Sequence, residues 1–413
     1  MPLKVIVVGA GLGGLGAAIA LNRSGHEVQV IEQSGFLNEV GAAIHMAPNA
    51  TRVLRSWGVE LESLRPVQCN HLDVWDAMGN HLWTPAVTKE LQKSLDISDD
   101  WVLAHRVDLH NALRVAARRE VNGRKVDIQL SSRVASVDSE NGVVTLENGM
   151  TYTGDLIIGA DGIHSKSVSG VTGEDEKKES TGQNCFRLMV PVSKMRANPL
   201  TASLVDKIGL DGVHAFIAPD RRLVIYPCRG GELLNIAGIH PSDPSSEARD
   251  ASWLDSGSMD HLLETYKMFG PELQEMCRLA EDVKLWSLAS RRPPSSFVKG
   301  KLALVGDAAH PTLPHQGQGG AQAFEDGAAL GAIFTQDTTP EQIPQRLELY
   351  NKIRYDHAVT VMMMSKTHEE RRGEMLDELR QYVPDAEIPK SMFTFTWGSD
   401  PAQEASDFLI AAN

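Results

Sequence analysis

A β-branched run, Lys4 to Val8, lies near the front of the chain and predicts a buried strand. Leu15 to Asn22 is rich in Ala and Leu and reads as a helix. Glu27 to Glu32, EVQVIE, alternates apolar and polar positions and predicts a second strand ending in an acid. Strand, helix and strand over this length make a βαβ unit. Two later apolar runs also end in glycine-acid turns. Leu156 to Ile158 precedes Asp161-Gly162, and Leu302 to Val305 precedes Gly306-Asp307. After the latter, Pro311 and Pro314 shape a loop, and glycines open a helix through Ala321 to Phe334.

Between Val171 and Leu285 the pattern changes. QNCFRLMVPV (Gln183–Val192), VHAFIAP (Val213–Pro219), RRLVIYPCR (Arg221–Arg229) and LLNIAGIHP (Leu233–Pro241) are short β-type runs separated by Gly, Asp and Pro turns. They predict an antiparallel sheet inserted in the first domain. Leu262 to Leu279 reads as helical, VMMM (Val361–Met364) as core packing, and the charge-dense run Thr367 to Gln381 as a solvated helix face.

The 413 residues give room for a large core and two domains. A formal net charge of −14 argues against nucleic acid, which selects basic surfaces. Cys69, Cys185, Cys228 and Cys277 are scattered, with no C-x-x-C pair, so neither a metal site nor a dithiol is expected, and a reducing, cytoplasmic compartment is. No apolar run reaches the ~20 residues of a membrane span, and no signal region is read before the opening strand.

Gly9, Gly11 and Gly14 form G-x-G-x-x-G between the first strand and helix. Gly9 serves the tight turn, Gly11 the approach of a pyrophosphate to the backbone, and Gly14 the close packing of helix on strand. The helix N-terminus offers unpaired N–H groups and positive potential to phosphates. Glu32 has the position of a ribose-binding acid and disfavours a 2′-phosphate. The motif points to the ADP part of NAD or FAD without choosing between them. At the third strand end, Asp307 suits a polyol, and the helix start at Gly317, Gly319 and Gly320 suits a developing negative charge.

Four segments in order carry a resemblance: VVGAGLGGLGAA (Val7–Ala18), GAAIHMAPNATRVLRSWG (Gly41–Gly58), DLIIGADGIHS (Asp155–Ser165) and GKLALVGDAAHPTLPHQGQGGAQAFEDGAAL (Gly300–Leu330). From Lys4 to about Tyr350 the chain resembles the single-component FAD-dependent aromatic monooxygenases of the p-hydroxybenzoate hydroxylase fold. It is closer to their salicylate-hydroxylase-like branch, which includes many fungal secondary-metabolism enzymes. The resemblance implies an α/β fold: a doubly wound, Rossmann-type FAD-binding domain with an inserted antiparallel β-sheet substrate domain and a helical C-terminus. The expected division is 1–170 for the first part of the FAD domain, with an excursion to the substrate domain near 70–100. Then come 171–285 for the sheet domain, 286–335 for the second FAD part and 336–413 for the helical end.

It further implies that Asp161 lies near the dinucleotide phosphates, that Asp307 meets the ribityl chain, that Arg106 reaches the phosphate and flavin region, and that Ala43 approaches the isoalloxazine ring. Where relatives commonly carry an arginine after the GADGIHS serine, this chain has Lys166, which lacks the planar fork. The implied reaction consumes NADH or NADPH and O2. It hydroxylates or epoxidises an aromatic or electron-rich small molecule through a flavin C4a-hydroperoxide, in a monomer or homodimer. A flavin oxidase or dehydrogenase on the same fold shares every FAD motif and is the alternative.

Arg187 is a charge in an otherwise apolar strand, and Tyr226 precedes Pro227 within another. An arginine can pair with a phenolate, and a tyrosine hydroxyl can position a phenol. Some fungal relatives use such a pair to bind and deprotonate a phenol, so both are candidate catalytic residues. The other reading is a surface ion pair and a core tyrosine. His310 and His315 read as loop histidines with satisfied rings.

Overall fold

The computed structural model describes residues 1–35, 42–174, 178–242, 257–367 and 369–411. Gly41, at the head of the second quoted segment, and residue 368, in the charge-dense run, lie outside them.

A six-stranded sheet carries the first layer. Its order is Val298–Lys299, Leu302–Leu304, Leu156–Gly159, Lys4–Val8, Glu27–Ile31, Asp127–Gln129. All neighbours are parallel except the antiparallel edge strand Val298–Lys299. Its central strands are apolar at nearly every position because both faces are covered. Helices Leu12–Arg23 and Gly319–Ile333 lie side by side against it. Both are buried almost all round and built from Ala, Gly and Leu, which allows backbone to approach backbone. A Cβ on Gly331 would stand 2.9 Å from that of Ala20. Trp57 and Phe324 meet edge to face at 5.8 Å over this seam. Each aromatic buried there contributes about 2–3 kcal/mol.

The second layer is a seven-stranded sheet ordered Lys284–Ser290, Glu179–Pro191, Leu233–Pro241, Arg222–Cys228, Gly212–Ile217, His71–Asp76, His81–Val87. It is antiparallel except where Gly212–Ile217 runs parallel to His71–Asp76. The hairpin from 71 to 87 thus joins strands that follow more than a hundred residues later. One face packs on helices within 192–208 and 259–278 through Phe186, Leu188, Ile225 and Ile236. The other carries Tyr226, Val213 and Cys228 toward Ala43 and Trp101. The predicted helix over Leu262–Leu279 is two helices, Met259–Thr265 and Pro271–Arg278. Gly270-Pro271 breaks it, and Pro271 opens the second as its first residue.

The 22-residue helix Ile343–Met364 packs on the helix Gly319–Ile333 and the edge strand Val298–Lys299, and VMMM forms its buried end. No helix among the described residues is long and apolar enough to cross a membrane.

Candidate active site

The first turn is tight and draws backbone against backbone. Gly9 takes φ +97°, and a Cβ there would press on the Ala160 carbonyl at 2.5 Å. Gly14 comes so close to Gly9 that its Cβ would stand 2.0 Å from the Gly9 oxygen. Gly11 differs, because nothing lies within 4 Å of where its Cβ would be. It caps the helix Leu12–Arg23 without a side-chain hydrogen bond, so the first-turn N–H groups face open space. Glu32 closes the turn from the next strand, accepting the N–H of Ala10 at 2.7 Å and of Ser34 at 2.8 Å. Each oxygen keeps a lone pair for a further hydrogen bond. The sequence reading missed His110, whose buried ring meets the Ala10 carbonyl at 2.7 Å. It lies one turn after Arg106 on the same helix, and that spacing was the available signal.

The second turn carries Asp307. Its carboxylate is open to solvent yet ringed by protein, as in a deep cleft. Burial pushes its pKa up, and the charges of His310, Arg106 and Arg291 pull it back. Arg106 begins the helix Arg106–Arg118. Arg291, also missed from the sequence, is 1 % exposed and donates to the carbonyls of Asp307 and Ala308.

Behind this turn lies a buried ion network. Asp326 accepts the Gly306 N–H at 2.8 Å and meets His310 at 2.7 Å. Arg354 bridges Asp326 at 2.8 Å and Glu325 at 2.7 Å. Burial alone would raise Asp326, but His310, Arg354 and the Gly306 N–H bring it down to about 2. Burial leaves Glu325 raised despite Arg354. The network holds the turn bearing Asp307, and it uses the ring of His310 as a satisfied structural group.

Asp161 organises its own turn. Its oxygens accept from the Ser165 hydroxyl at 2.5 Å, the Lys166 N–H at 2.7 Å and the Ser167 N–H at 3.0 Å. The 3-10 turns Gly162–His164 and Gly306–Ala308 pack together.

The third wall joins the two layers. Ala43, opening the strand Ala43–Met46, donates its N–H to Asn235 at 3.1 Å, and its carbonyl accepts from Tyr226 at 2.9 Å. Asn235 and Tyr226 are cross-strand partners, so one rung of the large sheet clamps this residue. Burial raises the Tyr226 pKa, and nearby Arg187 opposes the rise. His45 receives a hydrogen bond from Trp101 at 3.2 Å on Nδ1, and burial lowers its pKa to about 4. Gly317, at φ +60°, lies against that ring, and its Cβ would overlap His45 Nε2 at 1.5 Å. Gly319 starts the helix Gly319–Ile333, and a Cβ on Gly320 would stand 3.1 Å from Ile44. Beside them the buried Gln316 amide has no hydrogen-bond partner for either its N or its O among the described residues.

On the same face of the sheet as Tyr226, the strand Glu179–Pro191 presents Arg187. Its guanidinium lies 4.7 Å over the Trp286 ring, and its buried Nε has no hydrogen-bond partner among the described residues. Arg222 is drawn down to about 10 by burial and contacts His315, whose other nitrogen meets Gln183 at 3.1 Å.

An open approach at Gly11, a ringed carboxylate at Asp307 and an orphaned amide at Gln316 fit a bound dinucleotide with a polar ring system. The FAD-binding-domain family matches residues 2–365. Hispidin-3-hydroxylase of Neonothopanus nambi is 34% identical over 396 residues, covering 93% of this chain and 89% of that protein. The 3-hydroxybenzoate 6-hydroxylase of Polaromonas naphthalenivorans is 29% identical, covering 88% of this chain and 86% of that protein. The crystal structure of CtdE in complex with FAD and a substrate superposes with TM-score 0.81 at 20% identity, covering 99% of this chain and 98% of that one, which speaks for the fold. The turn geometry and the matched length together make this chain a member of the FAD-dependent monooxygenases built on the FAD binding domain.

Proposed function

We propose that this chain hydroxylates a phenolic small molecule held between the FAD site and the large sheet, with Arg187 and Tyr226 as its binding groups. The observation that carries the reading is the buried, unpartnered Nε of Arg187 on the cleft-facing side of an apolar strand. A buried guanidinium donor without a partner is costly, and an anionic oxygen compensates it with a charge-assisted hydrogen bond. A phenolate meets that need, and ionisation makes the ring carbon ortho or para to it more nucleophilic. Tyr226 donates its proton to the Ala43 carbonyl, which leaves its oxygen as an acceptor for a second, un-ionised hydroxyl on the substrate ring. Burial of Tyr226 keeps that oxygen protonated.

Gly9, Gly11, Gly14, Glu32, Arg106 and Asp161 would hold the adenosine and pyrophosphate end of FAD, and Asp307 the ribityl chain. Ala43, Gly317, Gly319 and Gly320 would line the ring. Bound FAD supplies electron transfer from NADH or NADPH and the activation of O2. The chain's part is to orient the ring, favour its ionised form and exclude water. Four free, buried cysteines support work in a reducing compartment such as the cytoplasm.

The test compares the wild-type protein with Arg187→Gln on a panel of phenols, following NAD(P)H oxidation and 18O transfer from 18O2. Arg187→Gln is expected to keep FAD and lose kcat/KM by about 100-fold, the worth of a buried charged hydrogen bond. Its residual rate should rise with pH as the phenol ionises unaided. An unchanged kcat/KM would remove Arg187 from the site.

A further inference from the structure

The seven-stranded sheet has a second polar cluster on its other face. Ile225 and Tyr226 point to opposite faces, and His214 is the cross-strand partner of Ile225, on the face turned from Ala43. The parallel register sets His214 beside Asp73 and Gly212 beside His71. Gly212 matters here, because a Cβ on it would stand 2.6 Å from His71 Nε2, so its absence lets the imidazole fold inward. Next along, His81 pairs with Trp75 on the same face.

These residues converge on one carboxylate. His71 Nε2 lies 3.2 Å from Asp73 Oδ2, and His214 Nδ1 lies 3.8 Å from the same oxygen. His81 Nε2 is 3.4 Å from Asp73 Oδ1. One donor atom each from His71, Asp73 and His214 falls within 4.8 Å of the others. Ligands about 2.0–2.2 Å from a tetrahedral zinc stand roughly 3.4 Å apart, close to these separations.

A hydrogen-bonded His–Asp pair accounts for His71 and Asp73 but not for His214. That residue is 0 % exposed, and neither of its ring nitrogens has a hydrogen-bond partner among the described residues. A buried imidazole left so is expensive unless a further group engages it. Thr84 donates to Asp73 Oδ1 at 2.6 Å, the kind of outer hydrogen bond that orients a ligating carboxylate. A cleft of about 520 Å³ bordered by His71, Asp73, His81 and Thr84 opens to solvent, with Lys89 on its wall, and gives an ion an entry path.

We propose that His71, Asp73 and His214 form a divalent transition-metal site, of the zinc class, with His81 or water completing it. Two imidazoles and one carboxylate suit Zn²⁺ better than Mg²⁺ or Ca²⁺, which prefer all-oxygen sets. The site lies on the face turned from the FAD cleft and ties the hairpin 71–87 to the strand Gly212–Ile217. Its role is to hold the sheet together.

The test uses the FAD-loaded protein, stripped with chelator and titrated with Zn²⁺ alone by calorimetry, with melting followed in parallel. One equivalent is expected to bind and to raise Tm, since the folded state alone assembles the ligands. His71→Ala and Asp73→Asn, at the solvent side of the cluster, should each weaken binding by about tenfold or more. His214→Asn should do the same, and the two solvent-side variants decide the matter if it fails to fold. Absence of a one-to-one isotherm, or wild-type affinity in both His71→Ala and Asp73→Asn, would overturn the proposal.

Discussion

Replacing Arg354 by methionine keeps an unbranched stem in the core and deletes the guanidinium that Glu325 and Asp326 share. Arg354 is 1 % exposed, and both carboxylates are fully buried. The variant loses hydrogen bonds of 2.7 Å to Glu325, 2.8 Å to Asp326 and 2.8 Å to the Gln322 side chain. Removing one partner of such a buried network costs about 3–5 kcal/mol, mostly from charge left unpaired. His310 still faces Asp326, so Glu325 carries most of the loss.

Glu325 has a way to relieve it. Its pKa is already raised by burial, and without Arg354 it rises further. A carboxyl whose folded pKa lies above its unfolded value loses stability as pH rises through the folded pKa. The deficit of Arg354→Met should therefore be largest at neutral to alkaline pH and shrink as the solution is acidified. Adding Glu325→Gln should recover part of it, because the two sites share one network.

The assay is urea unfolding followed by tryptophan fluorescence, for wild type, single and double variants, at several pH values. Flavin titration of the same proteins should show weaker FAD binding, since Asp326 anchors the Gly306 N–H beside Asp307. A deficit under about 1 kcal/mol at neutral pH, or no recovery in the double variant, would refute the reasoning.

Gly11→Val should leave the melting of the FAD-free protein almost unchanged, because its side chain enters open space, yet weaken FAD by about 100-fold, the worth of about 3 kcal/mol of lost phosphate contact. Gly14→Ala should destabilise the FAD-free fold itself, since its Cβ collides with the Gly9 oxygen; equal melting of the two variants would contradict this. His240 is 4 % exposed and stacks on Phe186, and burial lowers its pKa to about 4. Its folded pKa lies below the ordinary 6.5, so stability is intact above pH 6.5 and drains, by up to about 3 kcal/mol, as pH falls toward 4. His240→Phe should flatten the stability slope in that window, and an unchanged slope would exclude this source. Asp307→Ala should bind FAD more weakly than wild type by flavin fluorescence without loss of the apoprotein's helical signal.

What could be read from the sequence was local. The FAD chemistry lies in contiguous segments, because a pyrophosphate needs a strand, a glycine turn and a helix start in immediate succession. The two-layer α/β fold followed from the same cause, since strand and helix periods are short-range properties. The break at Gly270-Pro271 is also written locally, within a stretch whose overall composition is helical. Other features depend on residues far apart in the chain. Arg354 meets Glu325 and Asp326 across 28 to 29 positions, Tyr226 meets Ala43 across 183, and Arg291 reaches the Asp307 turn from a separate strand end. The donors at 71, 73 and 214 come from two strands made neighbours by a parallel register that no spacing announces. A contiguous motif is legible because its ligand reads backbone. A side-chain cluster is decided only when the sheet pairs its strands, since register alone determines which side chains share a face.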